Sequence, residues 1–342
     1  MLVVLGTAGA LVLAEGGARM LRLDQRLLTH WLFFQGADVE VHRRSADARL
    51  RYELAPGTSC ECSIGGPTYH VTIDEHGARH PTHPLAKGPG VYRILCVGGS
   101  TMYGSAVDDE QTIPAALERH LNADAPPGRR YEAWNLGTPA YMLRQAAHLA
   151  ETRLDTLRPD LVLVQLHNSG RRAYLIPPSY DALDYPWADI LADPDLFTEQ
   201  LAAPPWLRSV SDHWLLGRSA LSRAALFFLP GFGPNQHCDW CDRRDQEAAR
   251  SLTQAAAARG IPVVFVAIPA NRTTVAGDPD PGRVPPGPDS VYPGLAADRF
   301  IDLFEPGRER AFYQVHPPPA TLDELAALTI AALRTLGVLP AT

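Results

Sequence analysis

A buried strand that ends in a tight turn and a serine is the feature that most restricts the fold of this chain. Residues 92–97 form a largely apolar run without alternation, which is typical of a strand covered on both faces. Gly98 and Gly99 follow, and because neither carries a Cβ the chain can turn sharply there. We then expect Ser100 at the carboxyl edge of a sheet, where α/β folds place their ligands. A hydroxyl held there by rigid backbone is a candidate nucleophile.

The rest of the chain alternates strand-like and helical patterns, as a doubly wound sheet requires. Strand-like apolar runs cover 131–134, 160–164 and 261–268, and amphipathic patterns predict helices over 113–121, 142–157, 243–259 and 321–336. This alternation predicts an α/β fold, a three-layer α/β/α sandwich around a central and mostly parallel sheet. An insertion rich in proline and aromatic residues interrupts it over residues 172–240.

Composition and charge narrow the classes of function. With 342 residues, of which 46% are hydrophobic and 20% charged, the chain can bury one large α/β core with extra lobes. The net charge of −7 and the lack of a basic cluster argue against a nucleic-acid partner. The sequence contains no Walker-type phosphate loop, no dinucleotide-binding glycine fingerprint and no metalloprotease helix motif. We therefore expect chemistry carried by side chains, with no cofactor and no metal.

Three further segments follow the serine turn in a characteristic order. They are residues 135–141 (Asn-Leu-Gly-Thr-Pro-Ala-Tyr), 165–170 (Gln-Leu-His-Asn-Ser-Gly) and 312–317 (Phe-Tyr-Gln-Val-His-Pro). The first two come directly after strand-like runs, and the last lies near the C-terminus. Together with the serine turn, this order and spacing resemble the SGNH, or GDSL-type, hydrolase family over most of the chain. The resemblance implies a flavodoxin-like sheet and a serine hydrolase that acts on esters.

The resemblance also implies a role for each matching residue. Ser100 matches the nucleophile, and His316, which is followed by proline, matches the general base. The oxyanion hole of the family would be formed by three groups, of which the first is the N–H of Ser100. By spacing, the second is the N–H of Ala140, where the family usually has glycine, and Gly137 is the alternative. The third is the side-chain amide of Asn168.

The acid that normally completes such a site is missing at its usual place. The third residue before the histidine is usually aspartate, whose carboxylate fixes the imidazole tautomer, and here it is Tyr313. Three alternatives are open. Ser100 and His316 work as a dyad with a backbone carbonyl orienting the ring, or Glu309 or Asp302 substitutes for the acid, or catalysis is weak or lost.

The N-terminus predicts a segment that associates with a membrane. Residues 2–14 are apolar and rich in small residues, Glu15 interrupts them, and arginines follow at 19, 22 and 26. The run is short for a span of about 20 residues, and it lacks the basic start of a signal peptide. The arginines also oppose the usual orientation of an N-terminal anchor. Bacterial members of the family nevertheless carry similar anchors, so the resemblance implies an extracytoplasmic protein, anchored or secreted. The alternative is a buried N-terminal helix of a cytoplasmic protein.

These segments divide the chain into three parts. Residues 1–28 are the anchor or export segment, 29–90 a small β-rich lead-in, and 91–340 the hydrolase-like domain with its insertion at 172–240. Within the insertion, aromatic residues could form a lid that stacks on sugar rings, although local packing explains each of them singly. They are Trp187, Trp206, Trp214, Phe227 and Phe228.

Two pairs of cysteines and a group of histidines are the candidate metal ligands of this chain. Cys96 lies in the first buried strand and is expected in the core, whereas Cys60-x-Cys62 and Cys238-x-x-Cys241 could form disulfides or a zinc site. We favour disulfides, because the first pair is a poor match to zinc spacing. The four histidines between residues 70 and 83 fit no known ligand pattern and are expected in exposed loops.

The sequence thus predicts a serine esterase whose substrate is a small-molecule or carbohydrate ester, such as an acylated carbohydrate. An acceptor hydroxyl in place of water would make the same site an acyltransferase. The alternative from another class is a carbohydrate-binding or assembly protein on a degenerate hydrolase fold, which Tyr313 and the imperfect match of residues 165–170 suggest.

Overall fold

The computed structural model describes residues 2–32, 39–63, 68–166, 173–174, 218–228, 239–269, 299–305, 314 and 316–340. The chain divides into two compact units. One comprises Met1–Gly36 and Arg171–Trp240, and the other comprises Ala37–Gly170 and Cys241–Thr342.

The larger unit contains a five-stranded parallel sheet. Its strands are β5 (Val91–Val97), β6 (Arg130–Asn135), β7 (Leu161–Leu166), β8 (Val263–Ala267) and β9 (Phe300–Asp302). Their order across the sheet is β6-β5-β7-β8-β9, and all neighbours run parallel. Strand β5 is therefore flanked on both sides, which explains its almost uninterrupted apolar sequence.

Helices cover both faces of this sheet, so the predicted α/β/α sandwich is confirmed. They are α3 (Ser100–Tyr103), α4 (Ile113–Ala123), α5 (Leu143–Leu157), α7 (Asp239–Ala257) and α8 (Pro319–Thr335). Apolar residues of α4 and α8 share one core cluster with the sheet. On the other side α5 packs on β5 and β7, and buried Arg144 of α5 pairs with Asp245 of α7 at 3.1 Å.

Two antiparallel hairpins precede the sheet in the same unit. Strands β1 (His42–Arg44) and β2 (Tyr52–Leu54) pair with each other, as do β3 (Ser59–Ser63) and β4 (Thr68–Thr72). The second hairpin leads to Arg79, whose N–H donates to the carbonyl oxygen of Asn135 on β6 at 2.8 Å. The lead-in is thereby hydrogen-bonded to the edge of the sheet.

The prediction that the four histidines of this lead-in lie in exposed loops is wrong for His83. His83 is buried, with its Nε2 2.9 Å from Glu118 of α4 and its ring beside Trp134. His83 therefore packs the lead-in against Trp134 of β6 and Glu118 of α4. Among the described residues, no group of three or more histidine, cysteine, aspartate or glutamate side chains is placed to hold a metal ion.

Of the four described cysteines, three are disulfide-bonded. Cys60 and Cys62 form a disulfide bond within β3, and Cys241 is also disulfide-bonded. Cys96 is a free thiol in β5, and burial raises its pKa, so that it stays neutral in the core.

The smaller unit consists of three described helices. These are α1 (Leu2–Met20), α2 (Leu23–Leu32) and α6 (Ala220–Leu226), and each contacts the other two. Helix α1 continues past Glu15 to Met20, so the helix is longer than the apolar run at residues 2–14. Residues Val3–Met20 are long and apolar enough to cross a membrane.

Candidate active site

Ser100 opens helix α3 directly after the turn at the carboxyl end of β5. Gly99 precedes it with extended backbone (φ −94°, ψ −153°), and Gly104 ends the helix in the left-handed region (φ 90°) that favours glycine. Ser100 is half-buried, whereas the other three residues of the helix are buried. The serine is thus the residue of this helical turn that is open to solvent.

Gln165 of β7 holds the serine turn in place. Its buried Oε1 accepts hydrogen bonds from the N–H groups of Gly99 (3.2 Å) and Met102 (2.9 Å), on either side of Ser100. A Cβ on Gly98 would lie 2.6 Å from the Gln165 Cβ, so only glycine allows this approach. Gln165 is not among the site residues that the sequence predicts. The signal that could have identified it is its place as the single polar residue in the otherwise apolar strand Leu161–Leu166.

The loop after β6 is bound to the serine turn by its backbone. The Thr138 N–H donates to the Gly98 carbonyl oxygen at 2.9 Å, and the Asn135 Nδ2 donates to the Tyr103 carbonyl oxygen at 3.1 Å. A Cβ on Gly137 would lie 2.3 Å from the Tyr103 nitrogen. The two loops therefore meet in backbone contact, which requires glycine at 137.

The hydrogen bonds of this loop favour Ala140 over Gly137 as an oxyanion donor. The Gly137 N–H already donates to the Asn135 Oδ1 at 3.1 Å. The N–H groups of Ala140 and Ser100 donate to no other residue within the described part of the chain. Ala140 has a φ of 61°, a left-handed conformation in which glycine is the usual residue.

Two tyrosines connect the lead-in to the same loop. The Tyr52 hydroxyl on β2 donates to the Pro139 carbonyl oxygen at 2.7 Å, and the Tyr141 hydroxyl donates to the Tyr52 carbonyl oxygen. Both side chains are fully buried, and burial raises the pKa of Tyr141. Tyr141 therefore remains a neutral donor, and the pair fixes the backbone on either side of Ala140.

Arg79 supports helix α3 from the lead-in side. Its fully buried guanidinium donates to the carbonyl oxygens of Tyr103 (3.0 Å) and Gly104 (2.6 Å), at the carboxyl end of that helix. It also pairs with Asp109 at 2.8 Å and lies over the Tyr103 ring. Positive charge at a helix carboxyl terminus is favourable, and here it fixes the turn that begins with Ser100.

The segment that contains His316 lies at the same end of the sheet as the serine. Asp323 of α8 is 3.0 Å from His120, and Arg334 is 3.3 Å from Asp124, so α8 runs parallel to α4. Helix α8 also contacts the turn Asp109–Gln111. His316, three residues before α8, is exposed.

The remaining predicted site residues are described in part. Asp302 ends β9, and its Oδ1 accepts a hydrogen bond from the Phe304 N–H at 3.0 Å. Phe227 is buried and Phe228 is exposed. Other residues named above lie outside the described part of the chain, namely Asn168, Glu309, Tyr313, Trp187, Trp206, Trp214 and Cys238.

No protein-family model matches this sequence, and no curated protein matches it. Among solved structures, the chain is similar to TesA, with 15% identity over 71% of this chain and 99% of that one and a TM-score of 0.38. It is also similar to the esterase EstA from Pseudoalteromonas sp., with 10% identity, coverage of 71% and 97%, and a TM-score of 0.37. A third is a lipolytic protein of the G-D-S-L family from Desulfitobacterium hafniense, with 13% identity, coverage of 70% and 99%, and a TM-score of 0.26. Because these TM-scores lie below 0.5, the proposals below rest on the chain's own geometry.

Proposed function

We propose that this chain is a serine ester hydrolase of the SGNH type, with Ser100 as the nucleophile. The observation that carries the proposal is a pair of backbone N–H groups without a described acceptor, on two loops that are in backbone contact. Ser100 begins a helical turn fixed by Gln165 and Arg79, and its own N–H and that of Ala140 donate to no other described residue. Fixed N–H groups of this kind stabilise the oxyanion of an acyl-transfer transition state.

In the proposed reaction, the Ser100 oxygen attacks the acyl carbonyl carbon while His316 takes the hydroxyl proton. The N–H groups of Ser100 and Ala140, with the Asn168 amide, stabilise the oxyanion. The tetrahedral intermediate collapses to an acyl-enzyme, and His316 returns the proton to the departing alcohol. Water then attacks the acyl-enzyme with His316 as base, and the carboxylic acid leaves as Ser100 recovers its proton.

The group that orients His316 is part of the proposal. Tyr313 supplies no negative charge at the usual place of the acid, so we favour a Ser100–His316 dyad in which a backbone carbonyl fixes the ring. A carboxylate from Asp302 or Glu309 is the alternative arrangement. Asp302 has one oxygen committed to the Phe304 N–H, which reduces its capacity to accept from an imidazole.

For the substrate, we propose an ester of an acylated carbohydrate outside the cytoplasm. Transfer of the acyl group to an acceptor hydroxyl is the corresponding alternative to hydrolysis. The N-terminal apolar helix and the disulfide within β3 support an extracytoplasmic location.

A serine-reactive fluorophosphonate probe tests the enzyme assignment. We expect rapid labelling of the full-length protein at Ser100, together with hydrolysis of a short-chain aryl ester. Ser100→Ala should abolish both, a loss of several orders of magnitude in rate. Ser105→Ala is the matched control, because Ser105 is a buried serine on the same turn. Labelling that persists in Ser100→Ala would overturn the assignment, and a folded wild type that never reacts would favour the non-catalytic carbohydrate-binding alternative.

A further inference from the structure

The two halves of helix α1 have different surroundings. In the first half, large apolar side chains are 57% to 81% exposed, and they are Val3, Val4, Leu5, Leu11, Val12 and Leu13. In the second half, Ala18 is buried at 4% exposure while Met20 is 81% exposed, and α1 contacts α2 and α6. The second half thus packs on the smaller unit along one face, whereas the first half exposes its large apolar side chains.

Glu15 joins the second half to helix α6. Its carboxylate accepts a hydrogen bond from the Ser219 hydroxyl at 2.8 Å and from the N–H groups of Ala220 and Leu221, each at 3.0 Å. It also pairs with Arg19 one turn later on α1 at 2.6 Å. The first N–H groups of a helix have no partner within that helix, so Glu15 supplies acceptors that α6 otherwise lacks.

Further contacts hold the same three helices together. The Arg19 guanidinium donates to the Arg218 carbonyl oxygen, just before α6. Arg223 of α6 forms an ion pair at 2.7 Å with Asp24 of α2, which is 3% exposed. Leu28 of α2 and Ala224 of α6 are buried in the same unit. The end of α1 is therefore built into the structure that contains part of the insertion.

We infer that α1 is a permanent membrane anchor whose apolar first half lies in the lipid bilayer, and that its second half is a structural part of the insertion. This inference rests on the membrane location in the proposed function and distinguishes an anchor from a cleaved leader. A leader removed after export would take the Glu15 carboxylate with it and leave two N–H groups of α6 without their acceptor.

The dimensions and charges of the segment fit a lipid partner. At about 1.5 Å per residue, the apolar residues 2–14 reach roughly 20 Å, about two thirds of the hydrocarbon thickness of a bilayer, so this half of α1 can enter the lipid without crossing it. Glu15 and Arg19 neutralise each other at one end. Arg22 and Arg26 follow there, where anionic headgroups attract basic side chains.

Fractionation of the full chain, expressed with a carboxyl-terminal tag, tests the anchor. We expect the protein to stay in the membrane pellet after an alkaline carbonate wash, and its intact mass to include residues before Glu15. Release of the full-length chain into the wash would overturn the anchor. A chain that begins after Met20 and still reacts at Ser100 would overturn retention while leaving the enzyme assignment intact. A retained anchor without reaction at Ser100 would support this inference and contradict only the assignment of the chain as a serine hydrolase.

Limited trypsin digestion of the membrane-bound protein tests the role of Glu15. Glu15→Ala should speed cleavage after Arg218 and Arg223 by about fivefold or more, because removing the acceptors of a helix start favours local opening. Glu15→Gln keeps one acceptor oxygen and should be cleaved at an intermediate rate. Thr7→Ala is the control, since Thr7 is an exposed polar residue of the same helix that bonds only within α1. Equal cleavage of Glu15→Ala and Thr7→Ala would overturn the proposed link.

Discussion

At the scale of single residues, the serine turn depends on one buried amide. The Gln165 Oε1 accepts from two N–H groups that bracket Ser100, so it fixes the direction of the serine without touching the reacting atoms. Gln165 is therefore a positioning residue in the proposed mechanism. The bond also connects β7 to the turn after β5, and these two strands are neighbours in the sheet.

Replacement of Gln165 should lower kcat more than it changes KM. Gln165→Met fills a similar volume but accepts no hydrogen bond of comparable strength, and we expect kcat to fall by about tenfold or more. Gln165→Glu retains the acceptor oxygen and should restore part of that loss. The measurement is steady-state ester hydrolysis with thermal melting in parallel. A Gln165→Met variant that melts earlier but keeps the wild-type kcat would make Gln165 a purely structural residue.

Two small residues in the loop after β6 should respond in opposite ways to exchange. Gly137→Ala places a Cβ against the backbone of Tyr103 and should destabilise the fold by about 2 kcal/mol or more. Ala140→Gly relieves a left-handed alanine and should leave stability unchanged or slightly higher. Urea unfolding of both variants measures the difference. A stable Gly137→Ala protein would contradict the close approach of the two loops.

At the scale of elements, the lead-in hairpins serve the site although they lie outside the main sheet. Arg79, which follows the β3/β4 hairpin, caps helix α3, and Tyr52 of β2 fixes the Pro139 carbonyl beside Ala140. Each hairpin is too small to be stable by itself. Their side chains nevertheless hold the loops that carry both proposed backbone donors.

Loss of Arg79 should therefore affect the whole larger unit. Arg79→Met removes a buried guanidinium that donates to four carbonyl oxygens, and it leaves Asp109 without its ion pair, which should cost about 3 kcal/mol of unfolding free energy. Arg79→Lys should rescue little, since an ammonium cannot reproduce the planar set of donors. Arg334→Ala is the comparison, because Arg334 and its partner Asp124 are largely exposed and should contribute less than about 1 kcal/mol. Similar losses for Arg79→Met and Arg334→Ala would refute the role of Arg79.

The contact between the loop after β1 and helix α5 should be sensitive to acid. Burial alone would raise the pKa of Asp47, but the hydrogen bond from His148 at 2.6 Å outweighs it and holds the pKa below its usual range. Because the pKa is lower in the folded state, the stabilisation is present above the ordinary aspartate value of about 3.9 and is lost as the pH falls through the lowered value. Asp47→Asn should thus destabilise the protein near neutral pH, and the difference should shrink below about pH 4. Denaturant unfolding at several pH values measures this, and a constant difference would contradict the assignment.

At the scale of the whole molecule, the sequence predicted what depends on local pattern. The buried run before Ser100 and the alternation of strands and helices are such patterns, and both led to the correct fold class. The contacts of Gln165 and Arg79 could not be predicted, because they depend on which strands become neighbours. Helix α1 was expected to be too short because Glu15 and Arg19 count as charges, whereas in the structure they pair with each other and bond to α6.

The strand order also determines which parts of the site can form first while the chain is being synthesised. Strands β6, β5 and β7 are adjacent in the sheet and lie within residues 91–166, so the turn of Ser100, its glutamine support and the Ala140 loop can assemble as soon as this stretch has left the ribosome. The proposed base, His316, follows about 150 residues later in the same chain. In the proposed mechanism, a growing chain therefore holds an ordered but unactivated serine until His316 and helix α8 have been made and have docked.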